Sequence, residues 1–177
     1  MHVSAVDLYL LKIPLQDMAL RFFRESKYFL PSWIPGFRQT EVRLYLLVLR
    51  TDNGLEGYAG MHAMGGERKG YAELLGQYLL GINPLDTALV NQRIQEMSYI
   101  GMRSQWIECA FWDLIGKIQR KPIYELLGGE GGSVHPYAST GQIYDHQPHR
   151  AREVVKRLVE QGYRGIKLRI KGSEVQP

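Results

Sequence analysis

Three cations alternate with three apolar residues in "GIKLRIKG", residues 165–172. Lys167, Arg169 and Lys171 fall on one side and Ile166, Leu168 and Ile170 on the other, the period of a β-strand. A cationic strand face is cheap in water, and costly when buried unless anions meet it. The stretch is therefore either a solvated edge or one wall of an anion site. Other chemistry-bearing residues read more plainly. His146 and His149 have metal-like spacing, but Pro148 suits the first turn of a following helix. Cys109 lies among helical apolar residues and is expected to be a small buried hydrophobe. Asp113 is a candidate acid, read here as a structural hydrogen-bonding group between two domains. Neither glycine-rich stretch matches a phosphate loop or dinucleotide fingerprint.

The elements that must carry these residues follow from periodicity. Residues 3–13, "VSAVDLYLLKI", read as a strand closed by Pro14. An irregular aromatic and basic stretch follows to residue 40. Two β-rich runs then flank Asp52-Asn53-Gly54, whose residue types supply the positive φ angles of a tight hairpin. Tyr71, Leu74, Leu75, Tyr78 and Leu79 have helical spacing. A second helix starts after Asp86 as N-cap. A third carries the stripe Trp106, Ile107, Ala110, Phe111, Leu114, Ile115 and Ile118, and Pro122 stops it. Residues 1–125 thus form an α+β domain of meander and helices.

"LLGGEGGSV", residues 126–134, is a glycine-rich joint. Beyond it, 126–177 reads strand, helix, strand: a βαβ unit with a parallel pair. A parallel pair needs cover on both faces and further strands beside it.

Composition bounds the rest. With 177 residues and 45% hydrophobic content the chain can bury a core. A net charge of +4 without long like-charge runs gives no indication of nucleic-acid or membrane partners. One cysteine and an N-terminus without a basic leader and long apolar core lead to the expectation of a cytoplasmic protein.

The stretch "ECAFWDLIGKIQRKPIYELLGGEGGSVHPYAST" closely resembles the joint of capping domain and barrel in the mandelate racemase/muconate lactonizing enzyme branch of the enolase superfamily. "RTDNGLEGYAG", "LLGINPLD" and "GYRGIKLRI" fit the same family in the same order, so the resemblance covers essentially the whole chain. It implies an α+β capping domain followed by the start of a (β/α) TIM-type barrel. It also implies Mg²⁺-dependent removal of a proton α to a carboxylate, with a small carboxylate substrate and a homo-oligomeric assembly. The family's Lys-x-Lys motif maps onto Lys167 and Arg169 as catalytic residues. Arg169 departs from it, because a guanidinium is a poor proton acceptor near neutral pH and a good bidentate grip on a carboxylate. That departure favours an acid-sugar dehydratase over a racemase, epimerase or cycloisomerase. Lys171 is a rim cation in this register; a slip that paired Arg169 with Lys171 would restore a lysine base. Arg21, Arg24, Tyr28 and His62 map onto the family's two capping loops, as substrate contacts or as surface and packing residues.

A complete barrel takes about 250 residues. The family's metal-binding carboxylates and general-base histidine lie on later strands, so no metal ligand is expected in this chain. The 177 residues are then expected to be part of a longer polypeptide and inactive alone. The reading from another class is a truncated, non-catalytic binding or assembly module.

Overall fold

The structure, a computed structural model, describes residues 1–14, 40–63, 69–101, 103–142 and 148–169. They fall into two compact units, the first running to Gly131 and the second starting at Gly132.

In the first unit, β1 (Val3–Pro14), β2 (Glu41–Thr51) and β3 (Glu56–His62) form an antiparallel meander in the order β1-β2-β3. The β2–β3 turn differs from the sequence expectation. Among Asp52, Asn53 and Gly54 only Gly54 takes a positive φ, at 84°. The Gly54 N–H donates to the Thr51 carbonyl and the Thr51 N–H to the Leu55 carbonyl. This makes a three-residue hairpin loop over residues 52–54 with a single left-handed position. The Thr51 hydroxyl braces it by contacts with Asn53 Oδ1 and the Leu55 backbone.

Helices α1 (Tyr71–Leu79), α2 (Thr87–Tyr99) and α3 (Glu108–Gln119) follow the expected periodicity, with a 3-10 turn at Gln105–Ile107 leading into α3. Asp86 caps α2, its Oδ1 accepting the Leu89 N–H at 3.0 Å. α3 ends before Pro122: Arg120 takes φ 53°, and the Lys121 N–H reaches back to the Gly116 carbonyl. That is a Schellman-type stop made by a non-glycine residue. One sheet face and these helices share the core, where Leu47, Leu49, Leu75, Leu79, Met97, Ile107, Phe111 and Leu114 are fully buried. Truncating any of them to alanine costs about 2–5 kcal/mol.

Gly57 fixes how closely β3 meets α3. A Cβ built there would lie 2.2 Å from the Ala110 carbonyl oxygen and 2.6 Å from Leu114 Cγ. No side chain fits. Ser104, wholly buried before the 3-10 turn, has no partner for its hydroxyl among the described residues. An unsatisfied buried hydroxyl costs about 1–3 kcal/mol. Ser104→Ala is therefore expected to leave stability unchanged or raise it by about 1 kcal/mol. A fall of that size on urea unfolding would contradict this.

In the second unit, β4 (Tyr137–Gln142) and β5 (Gly165–Arg169) pair in parallel, joined through α5 (Pro148–Glu160). Leu158 of α5 is buried, whereas Tyr137 and Leu168 are exposed. The first unit also holds the short helix α4 (Ile123–Leu126) after Pro122.

Candidate functional site

β5 carries Lys167 and Arg169, two of the three cations singled out by the sequence. The expected alternation holds at Ile166, half-buried and in register with Ala138 of β4, and at Lys167, exposed and in register with Ser139, but fails at Leu168, which is exposed. Residues in register on parallel strands project to the same side of the sheet. Ser139, itself exposed, thus shares a strand face with Lys167. Sequence reasoning missed Ser139, because strand register is not written in local periodicity. Arg169 stands two positions on and pairs with Gln142 after a register shift. Its side chain lies outside the described residues, as do Lys171, Arg21, Arg24 and Tyr28 entirely. His62 is exposed at the end of β3, opposite Leu44, in the first unit.

An ammonium and a hydroxyl on one strand face can hold a carboxylate: the first supplies charge, the second a neutral donor. Among the described residues, no three His, Cys, Asp or Glu side chains converge to hold a metal ion.

The densest polar cluster lies elsewhere and is structural. Arg50 pairs with Asp7 across β1–β2 and donates to Glu56 at 2.6 Å. The Tyr58 hydroxyl donates to Glu56, and Lys117 sits 4.6 Å from the Tyr58 ring centroid. From α3, Asp113 accepts the Tyr58 backbone N–H at 3.0 Å, and Lys117 donates to the Glu56 carbonyl and to Asp113. Two side chains one helical turn apart thereby occupy backbone groups on the outer edge of β3, which would otherwise invite strand pairing. Asp113 is thus a structural hydrogen bonder within the first unit, and the role between domains is corrected. Asp113→Ala should cost about 1 kcal/mol on urea unfolding, since it strands one N–H; an unchanged midpoint would contradict the clamp.

The Tyr58 hydroxyl first, and Arg50 second, hold the Glu56 carboxyl below its ordinary 4.5. A depressed carboxylate stabilises the fold fully above its unfolded value, and the effect is lost as pH falls through the lowered folded value. Stability should therefore drop on acidification below the ordinary glutamate range. Glu56→Gln should flatten that limb of a urea midpoint-versus-pH curve.

Cys109 departs from expectation: it is exposed on α3. A shallow groove of about 490 Å³ at the end of α3 is lined by Asp113, Lys117, Arg120, Lys121 and Ile123 among others. Its cations suit a helix C-terminus, and it belongs to the first unit rather than to the strand of Lys167.

An antiparallel meander backed by helices, then a βαβ unit with a cation on its second strand, defines a mixed α and β protein of the capping-domain type. Residues 29–128 match the family described as Mandelate racemase / muconate lactonizing enzyme, N-terminal domain, and the chain belongs to that family, within the enolase superfamily. It is 28% identical over 183 residues to cis-3-hydroxy-L-proline dehydratase of Roseibium aggregatum, covering 97% of this chain and 46% of that protein. It is 22% identical over 179 residues to N-succinyl-L-Arg/Lys racemase of Bacillus cereus, covering 96% of this chain and 44% of that protein. In structure it is similar to the dipeptide epimerase of Enterococcus faecalis V583, solved with Mg and the dipeptide L-Leu-L-Tyr. That likeness has a TM-score of 0.71 at 22% identity, over 96% of this chain and 46% of that one. The chain thus spans about half the length of the curated relatives it matches. Among the described residues, no helix is long and apolar enough to cross a membrane.

Proposed function

We propose that the polypeptide carrying this chain is a cytoplasmic, Mg²⁺-dependent enzyme that removes a proton α to a carboxylate, and that its reaction is dehydration of an acid sugar. Residues 1–125 are its cap and 126–177 its first barrel strands. The observation that carries this reading is Lys167, exposed on β5 beside Ser139, in a chain of this family. Mg²⁺, whose ligands lie outside the described residues, would supply charge stabilisation to the substrate anion.

The roles of the chain's own residues follow from their chemistry. Lys167 binds one carboxylate oxygen and draws negative charge toward itself as the α-carbon is deprotonated. Ser139 donates a second hydrogen bond and fixes the carboxylate plane. Arg169, permanently protonated, grips oxygens of the substrate and does not accept the α-proton. The base therefore comes from another strand. Loss of the α-proton and departure of the β-hydroxyl as water leave an enol that tautomerises to a keto acid. Arg21, Arg24, Tyr28, His62 and the rim cation Lys171 complete the substrate-binding set, which sorts one sugar from another.

A second reading, racemisation or epimerisation, draws support from the relatives named racemase and epimerase. Turnover of an acid-sugar panel with Mg²⁺ separates the two. Loss of a β-hydroxyl appears as a keto acid, whereas epimerisation appears as inversion with no mass change. No reaction with any carboxylate, and no response to Mg²⁺, would favour a binding or assembly module. Like the resemblance from which it comes, the reading includes a homo-oligomer.

A further inference from the structure

The end of α3 carries more positive charge than a helix end calls for. Its groove is lined by Lys117, Arg120 and Lys121 with Asp113 as the one carboxylate, a net charge of +2. A helix C-terminus presents only about half a negative charge, on its last carbonyls. Lys117, in the last turn, answers that, and its ammonium is already held by Asp113 and by the Glu56 carbonyl. Arg120 and Lys121 are exposed, and neither has an acidic partner among the described residues. Arg120 is also the one non-glycine residue with a positive φ among the described residues, at 53°. An L residue is strained there and glycine is not. The bond from the Lys121 N–H to the Gly116 carbonyl is made by backbone alone, so the turn itself does not ask for an arginine.

We propose that this groove binds the phosphate group of a small molecule. Arg120 supplies a planar fork of donors that suits two phosphate oxygens, and Lys121 a point charge for a third. A phosphate monoester carries about −1.5 to −2 charges at neutral pH and three acceptor oxygens, which meets the net +2 of the groove. A single carboxylate would leave half of that charge unanswered. The groove has a volume of about 490 Å³, and Pro122 and Ile123 line it with apolar surface, Ile123 being 40% exposed. A carbon skeleton therefore has a wall to lie on beside the phosphate. The proposal does not rest on the reaction proposed above, and its test needs no turnover.

Thermal unfolding of the polypeptide carrying this chain, followed by circular dichroism, is compared in inorganic phosphate and in sodium chloride of equal ionic strength. Phosphate should give a saturable rise in Tm of about 3 °C over chloride, the scale of a ligand at about ten times its Kd. General salt stabilisation rises without saturating. In Arg120→Gly/Lys121→Ser the saturable rise should vanish. The Tm of that variant without phosphate should hold or increase, because glycine relieves the left-handed strain. Arg103→Ser removes an exposed cation ahead of α3 and should keep the full response. A parent protein that responds no more to phosphate than to chloride overturns the site. So does a phosphate response of equal size in the parent and the double variant. A double variant whose Tm falls sharply without phosphate also overturns it, since the two cations would then serve the helix end and not a ligand.

Discussion

Gly57→Ala is expected to destabilise the first unit by about 3 kcal/mol or more, the upper range for overpacking a core. The methyl group would meet the Ala110 carbonyl at 2.2 Å and Leu114 Cγ at 2.6 Å, so β3 and α3 must separate. Leu114 can shift its rotamer; a backbone carbonyl in mid-helix cannot. Separation would also lengthen the Asp113–Tyr58 and Lys117–Glu56 contacts, because the same two elements carry them. Against a total stability of about 5–15 kcal/mol, that is a large share. Urea unfolding at 25 °C measures it directly. A change below about 0.5 kcal/mol would show that β3 and α3 do not pack at Gly57 as described. Gly54→Ala provides the contrast. Its Cβ meets nothing within 4 Å, and only the positive φ resists it. Its cost should be about 1 kcal/mol.

Lys167→Ala should lower turnover of the whole enzyme by about 10³-fold, the scale of losing one preorganised charge from a developing anion. The side chain is exposed on β5, so the substitution should leave stability within about 0.5 kcal/mol. Lys167→Arg keeps the charge and changes its geometry, and should recover only part of the loss. Ser139→Ala should raise KM more than it lowers kcat, since a hydroxyl that orients the carboxylate acts in ground and transition states alike. If Lys167→Ala turned over at the parent rate, the cations of β5 would be a solvated strand face and nothing more.

These expectations rest unequally on sequence. The elements of the first unit were legible because one-sided burial imprints a period. Tyr71, Leu75 and Leu79 of α1, and Ile107, Phe111 and Leu114 by α3, are buried where the spacing places them. Cys109 shows the same rule misapplied. It lies two positions from both Ile107 and Phe111, about 200° round the helix from each, and so falls off the stripe despite its apolar neighbours. The hairpin was legible as a turn but not in its type, since Asn53 tolerates a positive φ without requiring one. Asp113 and Lys117 carried no local mark of their partners on β3, which lie 55 and 61 residues away. Of the site, Lys167 was legible from alternation, and its family role came from the resemblance. Ser139 was not, because pairing across β4 and β5 depends on the intervening helix to set the register.

The most direct test of the central claim is proton exchange at the α-carbon. The polypeptide carrying this chain would be incubated in D₂O with Mg²⁺ and a panel of acid sugars, and the α-proton signal followed by NMR. Mg²⁺-dependent loss of that signal is expected with one or more sugars, with a keto acid appearing alongside, and both reduced about 10³-fold in Lys167→Ala. Retention of the α-proton across the whole panel, in a folded protein saturated with Mg²⁺, would contradict it.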